Sequence, residues 1–427
     1  MESLSKKHEK GRLIMNNARQ EKIFSFIDNS KKEMIELQSI LTAIPAIAPQ
    51  SGGQGELEKC LALEKYLREN GITNLERFDA PDNRVKSGIR PNLVATIAGA
   101  DSSKNLWIMS HMDVVPEGDI SLWQTEPFRM VEKDGKLYGR GVEDDQQGLV
   151  ASVFAALSLV KQGITPAYTV KLLFVADEEV GSDFGIQYLL KNHNLFSKND
   201  LIVIPDGGDS KGETIEVAEK NLLWLKITTK GKQAHGSTPD EGINAHLANC
   251  DLALRLNGLE KFFDKRDSLF TPDRSTFQPT KKEANVPNIN TIPGEDIIYF
   301  DCRILPCYPL KTVQSKIAEV IASVEKQFGV KITTTVEQSV ESPATPADAP
   351  VVQMLLKAVK QVYNNNPKPV GIGGGTVGAY LRTAGYNATV WCRQDETMHQ
   401  PNEYCIIENL TGDAKVFATV MLNQYEE

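Results

Sequence analysis

The segment Thr169–Ala176 (TVKLLFVA) is apolar at nearly every position and runs straight into Asp177-Glu178-Glu179. A half-exposed strand alternates apolar and polar residues, so a nearly continuous apolar run indicates a strand buried on both faces. Carboxyl groups at its end lie close to the protein interior, where unpaired charge is costly. Two further segments repeat the pattern: Asn105–Ser110 (NLWIMS) stops at His111, and Leu201–Ile204 (LIVI) stops at Pro205-Asp206. Between them, Gln147–Lys161 carries Leu149, Val150, Val153, Phe154, Leu157 and Val160 at helical spacing. Apolar strands alternating with helices predict an α/β fold around a mainly parallel sheet. Ligands of such sheets sit beyond the carboxyl ends of the strands.

Glu21–Asn70 reads as helical, interrupted at Pro45 and at Gly52-Gly53. The first 20 residues read as a frayed polar arm, with Met15 as an alternative start. Near Asn221 the period becomes two, with Leu223, Leu225 and Ile227 alternating with Trp224, Lys226 and Thr228. A helix over Ile243–Leu256 follows, then a loop-rich insertion and a second alternating strand through Ile298, Phe300, Cys302 and Ile304. A helix over Leu310–Phe328 and a strand near Ile332–Val336 complete an antiparallel α+β module. We expect it at 223–337, inserted into a first domain made of 1–222 and 338–427. Two domains suit 427 residues, at about 150 residues per domain.

The charge balance, 47 basic against 56 acidic residues, leaves a net −9 and no basic footprint for phosphate backbones, which argues against a nucleic-acid partner. Leu149–Val160, the longest mostly apolar segment, is shorter than the roughly 20 residues of a membrane span. The N-terminal stretch lacks the apolar core of a secretory signal. Six cysteines without a CxxC pair suit a reducing compartment, so we expect a cytoplasmic protein with no membrane attachment.

His111 and Asp113 lie two apart along a strand, on the same side, and a carboxylate there suits the second nitrogen of a metal-bound imidazole. The stretch 137–146 (LYGRGVEDDQ) is a glycine turn delivering acids to a helix start, where helix capping is the competing explanation. Glu178-Glu179 is costly at a buried strand end unless a cation offsets it. His399-Gln-Pro-Asn-Glu403 follows the expected strand Ala388–Cys392. Together His111, Asp144, Glu179, Asp206 and His399 place two imidazoles and three carboxylates at strand ends of one sheet. That set suits divalent zinc, manganese or cobalt better than calcium. It also fits two ions bridged by one carboxylate.

These residues lie in motifs that resemble the co-catalytic zinc amidohydrolases, the family of acetylornithine deacetylase, succinyl-diaminopimelate desuccinylase, aminoacylase, glutamate carboxypeptidase and related dipeptidases. The resemblance runs from about residue 30 onward. It rests on SHMDVVP (110–116), LYGRGVEDD (137–145), DEEVGS (177–182), PDGG (205–208), GKQAHGSTP (231–239), NTIPGE (290–295), DCR (301–303), GGGT (373–376) and MHQPNE (398–403). It implies a zinc-peptidase-like α/β catalytic domain with an inserted ferredoxin-like lid that also forms a homodimer. It implies two divalent ions, zinc first with cobalt or manganese as alternatives, held by His111, Asp144, Glu179, Asp206 and His399 with Asp144 bridging. Asp113 would orient His111, and Glu178 would act as general base toward the metal-bridging water. His235 would stabilise the oxyanion, from its own chain or across the dimer. Arg303, Asn290, Gly374, Gly375 and Thr376 resemble the pocket for a substrate carboxylate.

Two positions depart from the pattern. Gln146-Gln147 stands where many members have Lys-Gly, and position 206 is Asp where the deacetylases and desuccinylases carry Glu. The Asp leans the reading toward dipeptides over N-acyl amino acids as substrates. A non-catalytic binding protein would lack the base or a ligand, and neither is missing. Nucleotide binding through Gly371–Thr376 is disfavoured, since the run lacks the Lys-Ser/Thr of a P-loop and Pro367 and Pro369 occupy the expected strand before it. No HExxH motif occurs, and His8, His193 and His246 read as structural or exposed.

Overall fold

A computed structural model of the chain describes residues 18–423. Residues 18–29 are helical, so the expected arm does not extend through 18–20; its remainder, with Met15 and His8, lies outside the described residues. In chain order the strands used below are β1 (Leu75–Arg77), β2 (Leu93–Ile97), β3 (Asp101–His111), β4 (Tyr168–Val175), β5 (Leu201–Asp209), β6 (Thr214–Glu219), β7 (Asn221–Lys230), β8 (Thr276–Lys282), β9 (Glu295–Ile304), β10 (Lys331–Val340), β11 (Lys368–Ile372) and β12 (Ala388–Arg393). The helices are α1 (Lys31–Thr42), α2 (Leu57–Glu69), α3 (Gln146–Val160), α4 (Ala245–Asn257), α5 (Leu310–Phe328), α6 (Pro350–Tyr363) and α7 (Ile407–Leu422).

An eight-stranded mixed sheet has the order β1-β2-β4-β3-β5-β12-β6-β11. Its centre, β4-β3-β5-β12, is parallel, while β2 joins β4 and β6 joins β12 antiparallel. The carboxyl half of β3 and most of β4 and β5 are buried residue after residue, as their unbroken apolar sequences require. Helix α3 is buried all round and touches β3, β4, β5, α1 and α7. A helix apolar on every side is stable only when enclosed like this. Gly148 makes the approach to the sheet fit: a Cβ there would lie 2.5 Å from the Pro205 carbonyl oxygen. Pro367 and Pro369 do not prevent a strand, because β11 is the sheet's edge, where a missing N–H is tolerated.

Packing divides the chain into two compact units. The first comprises the described residues up to Val217, Thr345–Pro369, and those from Tyr380 on; the second comprises Ala218–Ala344 and Val370–Ala379. The second holds a four-stranded antiparallel sheet ordered β8-β9-β7-β10. With α4 after β7 and α5 after β9, this is the β-α-β-β-α-β ferredoxin-like arrangement. Its core joins Leu223, Leu225 and Ile227 of β7 to Leu252 of α4 and Val313 and Ile317 of α5. Strand β8 falls in the segment read as loop. Only Phe277 is buried along it, and Pro279 sits at its register shift, so its sequence carries no alternation.

Candidate active site

The parallel strands deliver the acid and imidazole groups to one end of the sheet. His111 is the last residue of β3, and Asp177-Glu178-Glu179 follows β4. Asp177 has φ +67°, a left-handed turn that takes the chain off the strand end. Asp206 lies in β5 just before the irregular pairing with β12. Asp144 precedes α3, and His399 (φ +62°) lies in the loop after β12.

The side chains converge. His111 Nε2 lies 2.8 Å from Asp144 Oδ1 and 3.8 Å from Asp206 Oδ1. His399 Nε2 lies 3.2 Å from Asp144 Oδ2 and 2.9 Å from Glu179 Oε2. The two oxygens of Asp144 therefore face two different imidazoles. Ligand atoms of His111, Glu178 and Asp206 also lie within 4.8 Å of one another. His111 Nδ1 lies 3.0 Å from the Asp113 main-chain oxygen and 3.6 Å from its carboxylate. That carboxylate accepts the N–H groups of Glu178 and Glu179 at 3.0 and 3.1 Å. Asp113 thus orients His111 through its main chain and the Glu178-Glu179 turn through its side chain.

The electrostatics are those of an acidic cluster in want of cations. Burial pushes Glu178 up to about 8, with the charges of Glu179, Asp113 and Asp144 adding and His111 opposing. Burial likewise holds Asp206 well above the usual carboxylate range. Burial opposes charge on His111, yet bonds to Asp113 and Asp144 draw it well above its ordinary value. Bonds to Asp144 and Glu179 raise His399 to about 10. Glu179 Oε1 is buried without a hydrogen-bond partner. Carboxylates and imidazoles so arranged fit divalent ions of the zinc type.

Residues 107–423 match the family model described as peptidase family M20/M25/M40. An uncharacterized metallohydrolase of Methanocaldococcus jannaschii is 44% identical over 407 residues, covering 91% of this chain and 99% of that protein. The chain belongs to peptidase family M20/M25/M40. It is a metal-dependent hydrolytic enzyme of that family. A succinyl-diaminopimelate desuccinylase of Nitratiruptor is 25% identical over 401 residues, covering 91% of this chain and 99% of that protein. The fold also matches that of Dug1p, a dipeptidase of Saccharomyces cerevisiae, with TM-score 0.70 and 17% identity over 94% of this chain and 98% of that one.

In the second unit of this M20 enzyme, His235 is exposed and pairs with Thr291. Its Nδ1 accepts the Ser237 N–H at 3.1 Å and lies 2.8 Å from the Ser237 hydroxyl. Asn290 is beside it, its carbonyl accepting the Gly236 N–H at 2.7 Å. Arg303 donates from Nε and Nη2 to Asp301, at 2.7 and 3.1 Å, and from Nη1 to the Gly373 carbonyl at 2.7 Å. One N–H on each terminal nitrogen remains, enough for a bidentate carboxylate. Thr376 Oγ1 donates to Glu219 at 2.6 Å, which fixes the glycine loop holding Gly374 and Gly375. Arg303 and 373–376 thus form one group, and His235 and Asn290 another.

Sequence reasoning missed the scaffold beneath the M20 site. Arg90, fully buried, donates to Glu56 from Nε at 2.6 Å and from Nη2, and its Nη1 forms an ion pair with Asp177 at 3.1 Å. The pair anchors the turn that carries Glu178. Gln147 Nε2 donates to the Arg393 carbonyl at 2.7 Å and to Asp413 at 2.8 Å, and Thr42 donates to Gln146 at 3.0 Å. Gln146 and Gln147 are therefore buried ties within the first unit. His193 packs edge-on against Phe78 and Tyr188.

Proposed function

We propose that the enzyme hydrolyses the amide bond of small substrates bearing a free carboxylate, dipeptides ahead of N-acyl amino acids. The observation that carries this reading is the Asp144 carboxylate, with Oδ1 toward His111 and Oδ2 toward His399. His111, Asp144 and Asp206 would hold one ion, and Asp144, Glu179 and His399 the other. Zinc is the first choice, with cobalt or manganese as alternatives. The chemistry such ions supply is a water pKa lowered toward about 7 and a polarised scissile carbonyl.

Glu178 takes the proton of the attacking water on its carboxylate and returns it to the leaving nitrogen. Its nearness to His111 and Asp206 supports this role. His235 donates its Nε2–H to the developing oxyanion. Arg303, with Asn290 and the Gly374-Gly375-Thr376 loop, takes the substrate carboxylate. Asp206 leans the substrate toward dipeptides, while likeness to a desuccinylase favours N-acyl amino acids. Exposed Leu247 and Leu254 on α4 support a homodimer formed through the second unit, and six free thiols support a cytoplasmic setting. Among the described residues, no helix is long and apolar enough to cross a membrane.

The deciding experiment measures primary amine released by the metal-loaded protein from dipeptides and from N-acetyl and N-succinyl amino acids. Release from dipeptides alone is expected; release from acyl amino acids alone overturns the substrate assignment. Glu178→Gln should lower kcat by about 10²–10⁴-fold with metal retained. A near-normal kcat overturns the assignment of the base.

A further inference from the structure

The loops that carry Asp144 and His399 are each held by a glutamate of the other. Glu403, shortly after His399, is fully buried. Its carboxylate accepts from Arg140 Nη1 at 2.7 Å and from the main-chain N–H groups of Gly141, Glu143 and Asp144 at 3.1, 3.0 and 3.2 Å. It therefore fixes the turn that presents Asp144. Glu143, immediately before Asp144 and also buried, reaches the opposite way. Its Oε1 accepts the Asp395 N–H at 2.9 Å, and its Oε2 accepts the Thr397 N–H and, at 2.7 Å, the Thr397 hydroxyl. All these residues belong to the first unit.

The dependence of the two loops on these bonds is unequal. Asp144 is held by its own turn and by two imidazoles. His399 is exposed, and among the described residues its ring nitrogens pair with Asp144 and Glu179. Its loop also carries Glu396, His399 and Asn402 at positive φ, of 57°, 62° and 63°. Such backbone persists only where surrounding bonds over-determine it. Tyr404 also bonds to Asp395 and Thr397 at the start of this loop, but the main-chain N–H groups of both residues are taken by the Glu143 carboxylate.

We propose that Glu143 is a positioning residue for one metal subsite alone, the one formed by Asp144, Glu179 and His399. Glu403 positions Asp144 and so serves both subsites. The inference rests on the two-metal reading above. A carboxylate that orients metal ligands from behind is typically worth about 10–100-fold in affinity. Loss of Glu143 should therefore weaken one ion and spare the other, held by His111, Asp144 and Asp206.

The test is titration of the metal-free full chain with Zn²⁺ by calorimetry, repeated with Co²⁺ to follow its visible spectrum, for wild type, Glu143→Ala, Glu143→Gln and Glu403→Gln. The melting temperature of each metal-free protein serves as the folding control. Wild type should take two ions. Glu143→Ala should keep one affinity within about 3-fold of wild type and lose about 10–100-fold in the other, Glu143→Gln should fall between, and Glu403→Gln should weaken both. Two ions bound by Glu143→Ala at wild-type affinities, or both equally weakened, overturn the inference alone. A single ion in wild type overturns the two-metal reading and the inference with it.

Discussion

Replacing Arg90 by Met removes the fully enclosed guanidinium from a buried acidic corner, where Arg84 still pairs with Asp82 and Lys59 still lies near Glu56, while keeping most of the side chain's bulk. Arg90 is fully enclosed, as is Glu56, and Asp177 and Asp82 are nearly so. The guanidinium makes two bonds to Glu56 and a longer one to Asp82 at 3.5 Å, and pairs with the Asp177 charge at 3.1 Å. Breaking a buried pair from one side leaves the partner's charge uncompensated and costs about 3–5 kcal/mol. The loss has a defined pH dependence. Burial already pushes Glu56 up to about 7 even with Arg90 beside it. Without the cation its folded-state pKa rises further, so more protons are bound folded than unfolded and stability falls as pH rises. The penalty should therefore be small near about pH 6 and grow above about pH 7 by at most about 1.4 kcal/mol per pH unit, so that about pH 8 shows only its first part. Denaturant unfolding of metal-free protein, followed through the buried Trp107 and Trp391, reports the transition of the first unit. The double variant Glu56→Gln/Arg90→Met should recover part of the loss, because no lone carboxylate remains at that position. A single variant within about 1 kcal/mol of wild type at the higher pH refutes the reasoning, as does a double variant no better than the single one.

Three further outcomes follow from the same structure. Burial pushes Asp413 up to about 7 against donors from Tyr363, Gln147 and Arg393, so the wild type loses stability as pH rises from about 4 toward that value; Asp413→Asn should flatten melting temperature against pH over that range, and an unchanged slope refutes this. Gly148→Ala gains about 1 kcal/mol in helix propensity. Its Cβ would, however, meet Asp145 Oδ1 at 2.4 Å and the Pro205 oxygen at 2.5 Å, so net destabilisation is expected and a higher melting temperature refutes it. Mixing His235→Ala with Glu178→Gln protein should restore activity if the imidazole serves the partner subunit's site; no recovery from verified mixed dimers refutes service in trans.

Much of this was legible because the informative signals are local. The unbroken apolar runs before His111, Glu178 and Asp206 specify buried parallel strands, and Leu310–Phe328 is a helix with the expected ends. The alternation in β7 and β9 is that of a sheet covered on one face. What sequence could not reveal depends on distant partners. Glu143, Glu403, Glu56 and Arg90 each look like surface charge until a partner far along the chain encloses them. Strand β8 buries too little to leave a periodic trace, and edge strand β11 tolerates the prolines that argued against it. Asp113 was placed beside His111 by strand geometry, but its carboxylate is taken by main-chain N–H groups, whose direction no side-chain pattern encodes.

The position of β12 bears on how the molecule is made. It lies between β5 and β6. The centre of the large sheet is thus completed by residues 388–393, long after both neighbours have been synthesised. The second unit, mostly contiguous in Ala218–Ala344, is available to fold first. At about 5–20 residues per second, the 184 residues from Asp209 to Arg393 take about 9–37 s to emerge. For that interval β5 shows an unpaired edge carrying Ile202, Val203 and Ile204, a template for pairing with another nascent chain. Truncation before residue 388 makes the interval permanent, so shortened chains should aggregate rather than merely lose His399.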